Sequence, residues 1–140
     1  LCPKIPHWVQ SRQMAESARE EFLAQFDAKS QGIGFAVLGG AFAEGIDLPG
    51  KRLIGAFIAT LGLPQINPVN ETVRVQLQKL YGAGYEYTYL YPGLQKVVQA
   101  AGRVIRTVDD TGHLFLIDDR FSQRAVRALM PKWWHKSGSE

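Results

Sequence analysis

Apolar residues recur at every fourth position near the start of the chain, between charged and polar ones. The recurring positions are Met14, Ala18, Phe22 and Phe26. This spacing predicts an amphipathic helix over about residues 13–26. The run before it, 5–10, contains Trp8 and Val9 and follows Pro3 and Pro6. Because proline cannot donate a ladder hydrogen bond, this run predicts an edge strand.

Three short apolar runs follow, at 35–38, 53–61 and 112–117, and each ends in glycine or charged turn residues. Continuous runs of this length are typical of strands buried on both faces of a parallel sheet. Between the second and third runs, Asn70 is a predicted N-cap for a helix that ends near Gly82. Strands that alternate with helices predict an α/β fold with a largely parallel sheet flanked by helices.

Tyrosine occupies alternate positions from Tyr85 to Tyr91, a pattern that by itself favours a strand. Pro92 and the apolar spacing after it instead favour a helix that the tyrosines lead into and that ends at Gly102. The spaced positions are Leu94, Val97, Val98 and Ala101. A last short helix is predicted over 122–129, before Pro131.

Composition narrows the class of protein without identifying a partner. The 140 residues, 46% apolar and 21% charged, fit one packed domain, 1–140. The single cysteine, Cys2, excludes an internal disulfide, and the three histidines lack metal-ligand spacing, so no metal site is expected. No apolar run reaches the roughly 18 residues of a membrane span, and the cytoplasm is the expected compartment. The net charge of +3 permits a phosphate-rich partner but does not indicate one.

The first candidate site is the glycine-rich segment 39–50, which directly follows a predicted strand. Its glycines allow positive φ and close backbone approach, and Glu44 and Asp47 place carboxylates on either side of Gly45. The alternative is a tight acidic surface loop without a ligand.

The second candidate site is the segment 99–106. Arg103 and Arg106 follow Gly102 and are three residues apart, so both guanidinium groups can reach one phosphate, with Gln99 one helical turn earlier. The alternative is a basic helix end that stabilises its own dipole, or arginines paired with nearby aspartates. Those aspartates are Asp109, Asp110 and Asp118.

Together, and in this order, the two segments resemble conserved motifs of superfamily 2 helicases. Residues 39–47 resemble motif V and residues 99–106 resemble motif VI, in the form found in DNA helicases of the XPD/DinG type. The intervening and following segments 62–64, 85–93, 110–112 and 116–121 resemble the same family.

The resemblance implies a second RecA-like motor domain, of the P-loop NTPase type, that lacks its opening strands. It implies an ATP-dependent DNA helicase moving 5′ to 3′ on single-stranded DNA, in DNA repair or replication. Arg103 and Arg106 would then face the γ-phosphate of ATP, with Gln99 and Gly102 supporting them. Further residues that the resemblance places at the nucleotide are Asp47 and Gly45, and those that it places at DNA or in coupling are Gly39, Gly40, Phe42 and Glu44.

The sequence contains no Gly-x-x-x-x-Gly-Lys-Ser/Thr phosphate loop and no acidic box of a first motor domain. By the resemblance, ATP and Mg²⁺ would be held mainly by a first RecA-like domain, and the chain alone would be inactive. One cysteine cannot ligate an iron-sulfur cluster, so any such cluster would lie elsewhere. The compartment would be the bacterial cytoplasm or the eukaryotic nucleus. Two alternatives stay open: a non-catalytic DNA- or protein-binding module, and a remodeller of another substrate.

Overall fold

The computed structural model describes residues 4–11, 13–40, 48, 50–105 and 110–136. These ranges contain four strands and four α-helices, interspersed along the chain. In chain order they are β1 His7–Val9, α1 Glu16–Ala24, β2 Ile33–Phe35, β3 Gly55–Ile58, α2 Pro68–Tyr81, α3 Tyr91–Ala101, β4 His113–Leu116 and α4 Arg124–Leu129. Single 3₁₀ turns lie at Gly50–Arg52, Asp119–Ser122 and Lys132–Lys136, and a π-helical turn, Glu86–Leu90, leads into α3.

The described strands form two pairs, and both pairs are parallel. β1 lies beside β2 with Val9 opposite Phe35, and β3 lies beside β4 with Phe57 opposite Phe115. The mixture of strands and helices and the parallel pairing confirm the predicted α/β class. β1, β3 and β4 are shorter than the runs that predicted them. β2 shares only Phe35 with its predicted run 35–38, so that strand lies two residues earlier than predicted.

The main core lies between the β3–β4 pair and the helices α3 and α4. Its buried members are Ile58, Leu61, Leu90, Leu94, Val97, Phe121, Val126 and Met130. Val97 is fully buried and Leu61 is 1% exposed. Leu38, just after β2, packs against this cluster, so the end of β2 joins the core that α3 builds.

A smaller aromatic cluster holds α1 against β1 and β2. The Trp8 ring meets Phe26 edge-on at 5.2 Å, and Phe22, the buried residue of α1, lies 5.6 Å from Phe26. The Arg52 Nε–H donates to the Phe26 carbonyl at 2.7 Å, which ties the segment before β3 to the end of α1. This cluster confirms the apolar face that the fourfold spacing predicts for α1.

The predicted N-cap of α2 is wrong by one helical turn. Asn67, not Asn70, caps the helix, and its side-chain oxygen accepts from the Asn70 N–H at 2.9 Å. Pro68 explains the shift, because its fixed φ and missing N–H suit the first position of a helix. At the other end Gly82 caps α2 with φ of +68°, close to the predicted end.

The tyrosine segment is helical, which confirms the prediction that it leads into α3. Its form is a π-helical turn, in which the Tyr91 N–H donates to the Glu86 carbonyl five residues back. A proline inside an α-helix clashes with the carbonyl four residues earlier. The wider π turn before Pro92 gives the proline ring the space that it needs. The alternation of tyrosines does not predict this turn.

The prediction that strands are buried on both faces is wrong for β2, β3 and β4, since Phe115 of β4 is also 48% exposed. Phe35 is 54% exposed, Val37 is 59% exposed, and Phe57 is 65% exposed while it stacks on Phe115 at 4.6 Å. The physical reason is that the core takes one set of alternate side chains: Ile58, Leu114 and Leu116 belong to it or pack on it, while Phe57 and Phe115 remain exposed. A run of apolar residues therefore indicates a strand in this chain, but it does not indicate how deeply that strand is buried.

Candidate functional site

Helix α3 carries the second candidate segment with its apolar side in the core. Val97 and Ala101 are buried, whereas Gln99 is exposed and Arg103 half-buried. The chain leaves α3 in a tightened turn, with the Arg103 N–H donating to the Ala100 carbonyl at 3.1 Å. The helix therefore presents Gln99 to solvent, whereas the Nε of Arg103 lies buried at the end of the helix.

Gly102 ends α3 as predicted, but it does so in a right-handed conformation with φ of −64°. Its N–H donates to the Val98 carbonyl at 2.9 Å, and the Ile105 N–H still reaches the Ala101 carbonyl at 3.2 Å. The turn thus continues past the glycine, which places Arg103 on an extension of the helix.

Lys96 shares the outward face of α3 with Gln99 and Arg103. Residues spaced three and seven apart stand one above the other on a helix, so the three side chains form one stripe. Lys96 is half-buried. Sequence reasoning did not select this lysine, although its spacing from Gln99 was the signal available.

The first candidate segment begins against this stripe. Gly39, which follows β2, has φ of +76°, and a Cβ added to it would lie 2.7 Å from the Lys96 Cδ. The Gly40 N–H donates to the Val37 carbonyl at 3.1 Å, which turns the chain here. The structure therefore brings the start of the first segment to the helix that carries the second.

Gln10 stabilises the same turn from β1 and was also missed from sequence. Its Oε1 accepts from the Val37 N–H at 2.8 Å, and the Gln10 N–H donates to the Phe35 carbonyl at 2.8 Å. These bonds fix the end of β2 just before Gly39. A lone glutamine after a strand gives no local signal of that role.

The remaining predicted site residues fall outside the described residues. They are Phe42, Glu44, Gly45, Asp47 and Arg106. Convergence of the two arginines on one phosphate stays a prediction, as do the roles given to these five residues.

Asp118, one of the alternative partners for the arginines of segment 99–106, is held by Arg120. The Arg120 Nε–H and Nη2–H donate to the two Asp118 oxygens at 2.8 and 2.5 Å. Those bonds lower the pKa of Asp118 to about 2, helped by the backbone N–H groups of Arg120 and Leu61. The same ion pair raises the pKa of Arg120. Asp118 therefore serves to join the ends of β3 and β4.

A groove of about 440 Å³ lies beside α2 and was not predicted. Its lining residues are Leu63, Pro64, Ile66, Glu71, Arg74, Tyr85 and Tyr89. The Tyr89 hydroxyl donates to Glu71 at 2.7 Å, and the Arg74 Nε–H donates to the other carboxylate oxygen at 3.0 Å. The bond from Tyr89 lowers the pKa of Glu71 and raises that of Tyr89. The Tyr89 ring is 3% exposed, so it packs within the fold with its hydroxyl on Glu71.

Within the described ranges, no group of three or more histidine, cysteine, aspartate or glutamate side chains could hold a metal ion. The helices in those ranges include none with the length and apolar character needed to cross a membrane.

A sequence model of the helicase C-terminal domain family matches residues 3–137. The chain is 25% identical over 151 residues to the ATP-dependent DNA helicase chl1 of Schizosaccharomyces pombe, which covers 98% of the chain and 18% of that helicase. It is 33% identical over 94 residues to the ATP-dependent DNA helicase DinG of Photobacterium profundum, covering 65% of the chain and 13% of DinG. The chain thus spans less than a fifth of the length of these relatives.

A solved XPD helicase structure has the same fold. It superposes on 91% of the chain and 23% of its own length with a TM-score of 0.69 and 22% identity. The chain therefore belongs to the helicase C-terminal domain family, among relatives of the XPD and DinG type, as the two motifs indicate.

Proposed function

We propose that this chain is the second RecA-like motor domain of an ATP-dependent DNA helicase. It supplies Arg103 and Arg106 to an ATP molecule held, with Mg²⁺, mainly by a first RecA-like domain. The observation that carries this proposal is the meeting of the two segments: Gly39 lies against α3, on the stripe that holds Gln99 and Arg103. A nucleotide-dependent motor needs such a junction between its phosphate contacts and its nucleic-acid contacts.

The proposed chemistry follows from charge. In phosphoryl transfer, negative charge spreads over the oxygens of the transferred group, and an arginine from a second domain stabilises it. Planar guanidinium groups suit this task because they donate two parallel hydrogen bonds to phosphate oxygens. Gln99, one turn before Arg103 on the exposed face, would orient the same phosphate or its attacking water.

The nucleic-acid side of the proposal rests on the glycine turn after β2. Gly39 and Gly40 lack side chains, so a phosphate backbone can approach this turn closely, although the Gly40 N–H already donates to the Val37 carbonyl. Phe42 and Glu44 would extend that contact, while Gly45 and Asp47 would return the chain toward the nucleotide. Closure on ATP would then move single-stranded DNA, in the 5′ to 3′ direction proposed for this family.

The test is arginine replacement in a full-length protein that contains this chain. Arg106→Ala and Arg103→Ala should each lower DNA-stimulated ATP turnover by about 10³-fold or more while ATP binding persists, because such arginines act mainly in the transition state. Arg124→Ala, on the exposed surface of α4, is the control and should leave turnover unchanged. Undiminished turnover in both arginine variants would refute the proposal and favour the non-catalytic binding module.

A further inference from the structure

We propose that Lys96 is a phosphate-positioning residue, and this inference rests on the proposed function. Its aliphatic stem holds the Gly39 turn, and its ammonium group adds a positive charge beside Gln99 and Arg103. The ligand is a phosphate group, which either the nucleotide or the nucleic-acid backbone can present.

The first step is the contact with Gly39. A Cβ at Gly39 would lie 2.7, 3.1 and 3.4 Å from Cδ, Cε and Cγ of Lys96, so the stem runs along the bare face of the glycine. With φ of +76°, Gly39 also has a backbone conformation that other residues rarely adopt. The lysine stem therefore packs directly on the glycine turn. A residue with a side chain at position 39 would collide with the stem and would strain the backbone.

The second step is the direction of the charge. Lysine buries its methylene stem along a surface while its ammonium group stays in water, which agrees with the half-buried state of Lys96. Val97, the next residue, is fully buried in the core. The ammonium group of Lys96 therefore extends into solvent on the side of α3 that carries Gln99, away from the core.

The third step is the chemistry of the stripe. Lys96 and Arg103 offer only donors, and Gln99 offers two donors and an acceptor. A set of this kind suits an anion with several acceptor oxygens. Phosphate fits that description better than a carboxylate because it presents more acceptor oxygens.

The test uses a full-length protein containing this chain and three variants. Lys96→Met keeps the stem and removes the charge, Lys96→Arg keeps the charge, and Lys79→Met removes an exposed lysine of α2 as the control. The measurements are KM for ATP and the affinity for single-stranded DNA between about 50 and 200 mM salt. A thermal unfolding curve for each variant checks that the fold is kept.

Lys96→Met should weaken phosphate binding by about tenfold, as expected for one charge-assisted hydrogen bond, and Lys96→Arg should restore most of it. A raised KM with an unchanged salt slope would assign Lys96 to ATP. A salt slope reduced by about 0.7 would assign it to the DNA backbone. Lys79→Met should change neither quantity.

The inference is overturned if KM for ATP and the affinity for single-stranded DNA of Lys96→Met both stay within about twofold of the wild-type values. The contact of the stem with Gly39 would then be the only role of Lys96. The failure is distinguishable from failure of the proposed function. If Arg106→Ala abolishes turnover while Lys96→Met changes nothing, only the inference about Lys96 is lost. If the arginine variants turn over ATP normally, the proposed function fails first.

Discussion

Leu38 fills the space that a side chain at Gly62 would need. A Cβ at Gly62 would lie 2.9 Å from the Leu38 Cδ2 and 3.4 Å from the Gly93 carbonyl oxygen. The turn after β3 therefore lies directly on the end of β2 and on the first turn of α3. Because Leu38 is next to Gly39 and packs on Gly62, the position of Gly39 depends on the turn that follows β3.

Gly62→Ala should destabilise the chain by about 2 to 4 kcal/mol, because it adds steric overlap with Leu38 to the cost of a positive φ. Gly82→Ala is the matched control: Gly82 has a similar φ of +68°, but nothing lies within 4 Å of its added Cβ. That control should cost about 1 kcal/mol. Urea unfolding of the two variants gives both values, and equal values would show that Leu38 can move aside freely.

Val97→Ala should lower the free energy of unfolding by about 2 kcal/mol, since it removes two methyl groups from a fully buried position of α3. Val75→Ala, at a position of α2 that is 41% exposed, should change it by less than about 0.5 kcal/mol. Urea unfolding followed by circular dichroism measures both. A small effect at Val97 would mean that α3 is loosely packed.

Asp118 should contribute to the acid stability of the chain. Its pKa in the folded protein is about 2, below its usual value near 3.8, so the contribution is present above about pH 4 and is lost as the pH falls through about 2. Asp118→Asn should therefore differ most from the wild-type protein above pH 4, and the difference should shrink toward pH 2.

Arg120→Gln tests the cause of that pH dependence, because it removes the same ion pair from the other side. Urea unfolding between pH 2 and 7 should give Arg120→Gln a profile that parallels Asp118→Asn. A profile for Arg120→Gln that matched the wild-type protein instead would assign the lowered pKa of Asp118 to the backbone N–H groups.

Tyr89→Phe should raise the pKa of Glu71 toward its usual value, because the Tyr89 hydroxyl is the first cause of its lowered pKa. It should also lower the urea midpoint, since it leaves one carboxylate oxygen without its donor. Tyr87→Phe, in which the altered ring is 48% exposed, is the control and should change neither. Carbon-detected NMR titration of the glutamate side chains measures the pKa.

Most of the fold follows from local patterns. The helical face of α1, the end of α3 at Gly102 and the parallel strands β3 and β4 appear where periodicity and turn residues predict them, whereas β2 lies two residues earlier. Such features depend on residues within one or two helical turns of each other, which a window of sequence contains.

The features that sequence missed depend on contacts between distant parts of the chain. Nothing near Gly39 indicates that its bare face meets Lys96, and nothing near Gln10 indicates a bond to Val37. The cap of α2 was a local error, because Asn67 and Asn70 have the same capping chemistry and only the proline between them decides.

The π-helical turn Glu86–Leu90 has a consequence for the orientation of α3. A π turn inserts one extra residue into the helical path, and one residue corresponds to a rotation of about 100° around the axis. Deleting a single residue there would change which side chains of α3 face the core and which face outward. The number of residues in the tyrosine stretch, as much as its aromatic content, therefore sets the direction around the helix axis in which each later side chain of α3 points.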